Sequence, residues 1–306
     1  SVKTLFLVAS KISSFSGKLL NGIYKNPVIL ICSPLIAIIF CLICNSSSVN
    51  NSALYVSNEY KVSKKLKTVL GLRVENYIQR HTGRDQLYAA GDVVNGTNLD
   101  NAIVLESIDL FPSANFIYEV KEKQNLRFSY GRTIARPSFK ELSFAQILDP
   151  ISNRIFNGSL FQYDDWDGNL QETRIDNIDF RWEIFPQVGE MYSVSAFYKF
   201  FDKPIELVRI PEQQSSTEYQ PRNVGDGMLL GVELEFKKNL SFLSKRLQNF
   251  NLNGNVIIVH SQITMTDAEF NSRRGYVKDG EKLDNKRAMA GQSPYVVNMG
   301  ITYSNE

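Results

Sequence analysis

Histidine and cysteine are scarce in this 306-residue chain, with two of the first and three of the second. His81 and His260 are too few and too far apart in sequence to build a histidine-based metal or acid–base cluster. An odd number of cysteines gives no complete disulfide framework. Charge of one sign is also lacking: 34 basic against 32 acidic residues leave a net charge of +2. That balance argues against a strongly basic nucleic-acid binder and against an acidic disordered tail as the bulk of the chain. Catalytic signatures are missing as well. There is no Gly-x-Ser-x-Gly, no His-Glu-x-x-His and no glycine-rich phosphate loop, and no cysteine lies beyond residue 50 to pair with a histidine. The expectation is a protein that is not an enzyme and carries no cofactor and no metal. What the chain does have is 43% apolar residues and 11% aromatics, enough to bury a core and to exclude wholesale disorder.

The first fifty residues differ from the rest. They hold Lys3, Lys11, Lys18 and Lys25, no acid, and all three cysteines, Cys32, Cys41 and Cys44. Pro27 to Cys44 is an eighteen-residue run without a charge, the short end for a membrane-spanning helix. Lysines before it and the polar NSSSVNNS after it resemble an export signal, although Pro34 interrupts the run and no small-x-small cleavage site follows. Cys41-x-x-Cys44 has a nominal metal spacing but no second pair, so these thiols read as small hydrophobes. Residues 1–50 are therefore expected to be an apolar leader or helical anchor that is not part of the following domain.

From residue 52 to 306 the pattern is period two. Leu230, Val232, Leu234 and Phe236 interleave with Gly231, Glu233, Glu235 and Lys237. Ile178, Phe180, Trp182 and Ile184 alternate with Asp179, Arg181 and Glu183, and Tyr295, Val297, Met299 and Ile301 with Asn298 and Gly300. Successive side chains of a strand point to opposite faces, so each segment has one apolar and one polar face. No stretch of this region reads as a long amphipathic helix. The fold class is all-β.

Alternation suits a soluble sandwich and a membrane barrel equally; segment and connection lengths separate them. Strands are expected near 53–62, 66–78, 113–121, 126–134, 177–185, 191–201, 229–238, 249–262 and 294–303. Many reach the roughly nine to eleven residues that a tilted bilayer-crossing strand needs. The connections alternate between tight (63–65, 122–125, 186–190) or moderate (239–248) and long (79–112, 135–176, 202–228, 263–293), with a further hairpin at Ile205–Ile210 and Thr217–Val224. Short turns on one rim and long loops on the other are the arrangement of outer-membrane barrels. A compact soluble domain seldom carries such loops. Tyr118, Phe185, Tyr192, Phe200, Phe201, Tyr295 and Tyr303 near strand ends suit interfacial girdles. The architecture expected is a partial antiparallel transmembrane β-barrel of about 9–11 strands.

Several stretches resemble the barrel half of the TonB-dependent outer-membrane receptors. Arg287–Tyr295, RAMAGQSPY, is similar to a late segment of those barrels in which Gly291, Gln292, Ser293, Pro294 and Tyr295 open a strand. Leu126–Leu142 resembles their strand and loop with an Arg-Pro step, here Arg136-Pro137. Asn169–Ile184 is similar to a segment in which Leu-x-x-Glu, here Leu170 and Glu172 in a shortened form with Gln171 at the usual proline, precedes a strand. Met191–Glu206, Gly231–Asn239 and Lys64–Glu75 also match, and the order agrees along residues 52–306.

The resemblance implies energised import of a solute through a plugged barrel in the outer membrane of a Gram-negative bacterium. Its partners would be outer-membrane lipid and lipopolysaccharide, the plug domain and the TonB complex, with an unidentified solute and no nucleic acid. Against the family pattern, residues 1–50 are too few for a plug with its TonB-contacting box. The expected strand number is odd, and the chain ends at Asn305-Glu306 without a terminal aromatic. The sequence thus reads as a piece of a receptor barrel that is not active alone. The alternative is a non-transporting surface β-protein binding a glycan or a protein partner. Within a barrel, Arg73, Glu75, Arg127, Arg181, Glu183, Glu233 and Glu235 would line the lumen, either touching solute or forming salt bridges between strands. The acidic stretch Tyr163–Asn169 is a further candidate for a cation or polar solute, though Tyr163 and Arg174 occupy positions where an EF-hand loop needs acids. Arg273, Arg274, Lys278 and Lys282 read as a solvated loop within reach of lipopolysaccharide phosphates.

Overall fold

The computed structural model describes residues 3–12, 45–210 and 217–304. Its main body is one antiparallel sheet. In spatial order it contains β1 (Lys3–Ile12), β2 (Ser46–Lys61), β3 (Leu66–Arg84), β4 (Asn98–Lys121), β5 (Gln124–Ala135), β8 (Thr173–Ile184), β9 (Met191–Asp202), β12 (Gly227–Asn239) and β13 (Phe250–Thr264). The two-residue β14 (Lys286–Arg287) and β15 (Tyr295–Tyr303) both pair with β13. Each neighbour in this meander follows its predecessor in sequence, apart from excursions that form a second, four-stranded sheet. That sheet holds β6 (Gln146–Asp149), β7 (Arg154–Asn157), β10 (Ile205–Ile210) and β11 (Thr217–Asn223). Two short helices, α1 (Gln86–Ala89) and α2 (Asp267–Arg274), lie in the loops.

The direct hairpin connections of the main sheet, at 62–65, 122–123, 185–190 and 240–249, are on one rim, and the longer connections are on the other. Laterally opposed residues show how the sheet is tilted. Starting from Tyr295, the first residue of β15, the register runs through Ile258, Val232, Ala196, Phe180, Phe128, Phe116 and Thr68 to Tyr60, next to last in β2. A row perpendicular to the strands therefore crosses from the long-loop end of one strand to the short-turn end of another. Strands whose ends nevertheless share a rim must tilt, which is the stagger a barrel wall requires.

The two faces of the sheet meet different surroundings. Apart from Thr68, which is polar and buried, the row just traced and its neighbours, among them Leu54, Leu72, Trp182, Val194, Leu234 and Met299, are exposed apolar side chains. On the opposite face Glu75, Asp109, Glu183 and Ser193 are all less than 10% exposed. A soluble sheet would bury its apolar side; this one presents it outward as a continuous band and encloses the polar side. Aromatics border the band: Tyr60, Tyr118, Tyr192 and Tyr303 towards the short turns, with the Phe250 and Tyr303 rings 5.0 Å apart. Phe201, expected in a girdle, faces Gly227 on the enclosed side, and Phe185 lies in a turn. Close ring packing also fixes a glycine: a Cβ at Gly231 would stand 2.3 Å from the Phe197 ring that covers it.

The strand positions expected from alternation are found, and their ends differ where the strands rise above the apolar band. β3 and β4 run 19 and 24 residues, so most of the supposed loop 79–112 is hairpin. Above Asn76 both faces are largely polar (Gln79, Arg80, Thr82), so alternation fades while pairing continues through two register shifts near Gln79 and His81. The sheet also takes in parts of the stretch expected to be a leader. Ser46–Asn50 belong to β2 and pair with Ile78–Thr82, and Lys3–Ile12 pair with Val49–Asn58, so these residues are part of the sheet. The apolar run 27–44, expected to be helical, lies outside the described residues.

Little of the buried core is in the wall itself. The largest fully buried side chains include Leu142 and Leu170 from the loop between β5 and β8, and these join Val49, Tyr77 and Leu105 from the tops of β2–β4. Long loops thus fold inward and cap the enclosed face. If the outward band faces hydrocarbon, Val232→Arg in its middle costs about 2–4 kcal/mol in urea unfolding from vesicles. Asn115→Arg on the enclosed face costs less than about 1 kcal/mol in the same measurement.

Candidate functional site

The enclosed face carries its charges in two connected groups. The upper group is built around Arg136, which follows the end of β5. Pro137 is buried and has no N–H to continue the ladder, so the chain leaves the wall and turns inward there. Arg136 donates from Nη1 to Glu75 Oε2 (2.8 Å) and from Nη2 to Asp109 Oδ2 (3.3 Å), and its guanidinium lies 4.3 Å from the Tyr77 ring centre. Arg73 donates from Nε to Glu75 Oε1 (2.6 Å), and Ser107 Oγ donates to Asp109 (2.7 Å). Arg174 bridges Asp109 (3.4 Å) and Glu172 (3.3 Å). Two carboxylates that are 6% and 4% exposed are thereby neutralised by a planar cation whose fork suits carboxylate pairs.

The lower group ties β5, β8, β9 and β12 together. Glu183 accepts from Arg127 Nε (2.6 Å) and Arg181 Nε (3.2 Å), and Arg181 Nη2 reaches Glu235 (2.8 Å), which also accepts from Ser193 Oγ (3.3 Å). Glu233 accepts from Asn255 Nδ2 (2.8 Å). All seven residues expected on the lumen side, Arg73, Glu75, Arg127, Arg181, Glu183, Glu233 and Glu235, thus share the enclosed face, and six of them are in ion pairs across or along strands. A hollow of about 420 Å³ lies between Asn115, Arg127, Asp179, Arg181 and Glu233. A second, polar cleft of about 400 Å³ opens where β4 has parted from β5, between Leu105, Ser107, Glu172, Arg174 and Lys203. The cleft is walled mainly by donors and acceptors of both signs, whereas the hollow adds Val69, Ile117 and Phe197 to its charged groups.

The loops above are joined by the remaining motif residues. Leu170 is fully buried in the loop core, and Gln171, at the position of the family's proline, exchanges backbone hydrogen bonds with the Asn223 side chain (2.7 and 3.0 Å). Arg287 donates to Glu269 of α2 (2.7 Å) and to Glu206 of β10 (2.6 Å), clamping two loops. Gly291 has φ +76, a left-handed turn residue, and the Gln292 N–H closes that turn on Met289 O. Ser293 Oγ then donates to Tyr295 O, and Pro294 O accepts from Val259 as β15 begins. These residues are structural joints rather than an open site.

The acidic stretch Tyr163–Asn169 is likewise bound up. Asp165 pairs with Arg222 (2.8 Å), and Asp167 caps the Asn169 N–H (3.0 Å). Among the described residues no group of three or more His, Cys, Asp or Glu is placed to hold a metal ion. Arg222 stacks over Trp166 and Tyr163, and burial, with the charge of Glu218 behind it, pushes the Tyr163 hydroxyl up to about 12. His81, which nothing in the sequence marked as special, is 1% exposed in the loop layer. Its Nδ1 lies 2.8 Å from Ser47 Oγ and its ring 6.1 Å from that of Phe144, and burial pulls its pKa below the ordinary value of 6.5.

With the geometry in place, the comparisons agree on one class. The family described as "TonB dependent receptor-like, beta-barrel" matches residues 32–306, and the chain belongs to that family. No curated protein matches. Among solved structures it is similar to the copper transporter OprC (TM-score 0.57, 14% identity, 85% of this chain and 33% of that one). It is also similar to the ferric citrate transporter FecA in its unliganded form (0.53, 12%, 85% and 31%). A third is the siderophore receptor PiuA from Acinetobacter baumannii (0.53, 12%, 85% and 32%). At these identities the likeness is one of fold, and the chain spans about a third of the length of each.

Arg136→Ala leaves Glu75 and Asp109 buried without their cation and costs about 3–5 kcal/mol in urea unfolding; Arg136→Lys, which keeps charge without the fork, falls between. His81 gives a pH dependence of known sign. Its depressed folded pKa means that the unfolded chain takes up the proton first, so its contribution is present above 6.5 and is lost as pH falls below it. The unfolding midpoint therefore drops between pH 7.5 and 5.5, and His81→Gln flattens that part of the profile.

Proposed function

We propose that this chain forms part of the barrel of a TonB-dependent receptor in the outer membrane of a Gram-negative bacterium, serving energised uptake of a polar solute. One observation carries the reading: an outward apolar band and an enclosed face of paired arginines and carboxylates belong to the same strands, with long loops gathered over one end. The band suits hydrocarbon, the enclosed face suits an aqueous path, and the loop layer suits the solute's side of entry. The relatives named above are a copper transporter, a ferric citrate transporter and a siderophore receptor, and a metal chelate or an oligosaccharide fits the mixed charge of the two hollows. In this reading the plug that fills the lumen and the TonB complex that pulls on it are the protein partners. The reading assigns no catalysis, and most carboxylates of the enclosed face are held in ion pairs. Expression of the full chain in a Gram-negative host tests the location. Recovery from the detergent-insoluble outer-membrane fraction, with gel mobility that changes on heating, is expected; a soluble monomer in the periplasm overturns the reading.

A further inference from the structure

The two rims differ in charge. The short-turn stretches 59–67, 119–125, 185–191 and 237–249 hold ten basic residues against four acidic ones. The long connections 85–97, 136–172, 203–226 and 265–294 hold twelve basic against seventeen acidic. The excess at the short turns is concentrated in two places: Lys61, Lys64 and Lys65 around the β2–β3 turn, and Lys237, Lys238, Lys245 and Arg246 around the β12–β13 turn. Among the described residues, only Lys67 (to Glu59, 2.9 Å) and Lys238 (to Glu190, 2.8 Å) of the ten are in ion pairs.

The β12–β13 turn joins this charge to apolar surface. It contains two short 3₁₀ turns, Leu240–Phe242 and Lys245–Leu247, fixed by the side chains of Asn239 and Ser244. Phe242 and Leu243 are 63% and 65% exposed, and the Lys238 ammonium lies 5.6 Å from the Phe242 ring centre. Lys238 is on the outward face, opposite Leu252, which is opposite Ile301. The exposed aromatic and its lysines therefore continue the apolar band at its short-turn border. Val62, in the β2–β3 turn beside its own lysines, is 64% exposed. An apolar side chain next to an ammonium at the end of a hydrocarbon-facing strand is the arrangement that meets the glycerol and phosphate level of a bilayer.

We propose that the short-turn rim is a docking surface for anionic phospholipid. The lysines and Arg246 hold headgroup phosphates of the leaflet at that rim, while Phe242, Leu243 and Val62 enter the acyl boundary. The proposal rests on the barrel reading and adds to it a preference between headgroups. Attraction of clustered basic residues to anionic lipid falls off over a Debye length, so it is local and sensitive to salt.

Trp182 reports on this rim. It is 41% exposed on the outward face and two residues before the end of β8, whereas the other tryptophan, Trp166, donates its indole N–H to Ser159 O in the loop layer. The full chain in detergent micelles doped with brominated phosphatidylglycerol or brominated phosphatidylcholine gives the relative association of the two lipids from quenching of Trp182. The anionic lipid is expected to associate about threefold or more better, and the ratio to fall towards one in K237Q/K238Q/K245Q/R246Q and in high salt. The ratio is expected to stay in R273Q/R274Q/K278Q/K282Q, which removes as many charges from the opposite rim. Equal quenching of the unaltered chain by both lipids, or a ratio that survives in the short-turn variant, overturns the proposal. Quenching by neither lipid removes the barrel reading itself and the proposal with it.

Discussion

The structure depends on the pairing of backbone amides and carbonyls across a long antiparallel ladder. Where a strand faces hydrocarbon, water cannot satisfy a backbone group left unpaired, and each such group costs several kcal/mol. Pairing along the whole length of neighbouring strands removes that penalty and leaves the side chains free to answer two solvents at once. The period-two alternation follows directly. Slipping any of these strands by one residue would turn its glutamates and arginines to the apolar side, so the register is fixed by the same alternation that defines the class.

Pairing alone leaves the enclosed side charged. The answer there is mutual neutralisation: Arg181 joins Glu183 to Glu235, and Arg136 joins Glu75 to Asp109. The Arg181 pairs run along β8 and across β9 to β12, within reach of one long side chain. The Arg136 pairs are different, because Glu75 is on β3, Asp109 on β4 and Arg136 beyond the end of β5. They fasten the inward-folding loop to the wall, and the loop brings Leu142 and Leu170 onto Tyr77 and Leu105. The wall and the cap over it thus share one joint, beside the cleft left by the parting of β4 and β5.

Much of this was legible in the sequence. The wall strands were located by alternation, the additional hairpin was expected within the connection 202–228, and the charges of the enclosed face follow strand parity. What escaped were the upper parts of β3 and β4, where Gln79, Arg80 and Thr82 put polar side chains on both faces and leave no alternation to show. β6 and β7, four residues each, are held by the loop layer and not by any alternation of their own. The acidic run 163–169 looked like an open site because its neutralising cation, Arg222, is more than fifty residues away in sequence. His81 gave no signal for the same reason: its burial is conferred by Phe144 of a loop that folds over it.

The sequence by itself determined the class, the rims and the faces, because solvent on each side of a strand selects the residue at every second position. It also carried the short-turn lysines, which are local clusters. Only the tertiary structure decided which charges neutralise which, where β4 parts from β5, and that the motif residues Arg287, Leu170 and Arg136 serve as joints. Those outcomes rest on contacts between segments separated by tens of residues, where distance in the chain carries no information about distance in space.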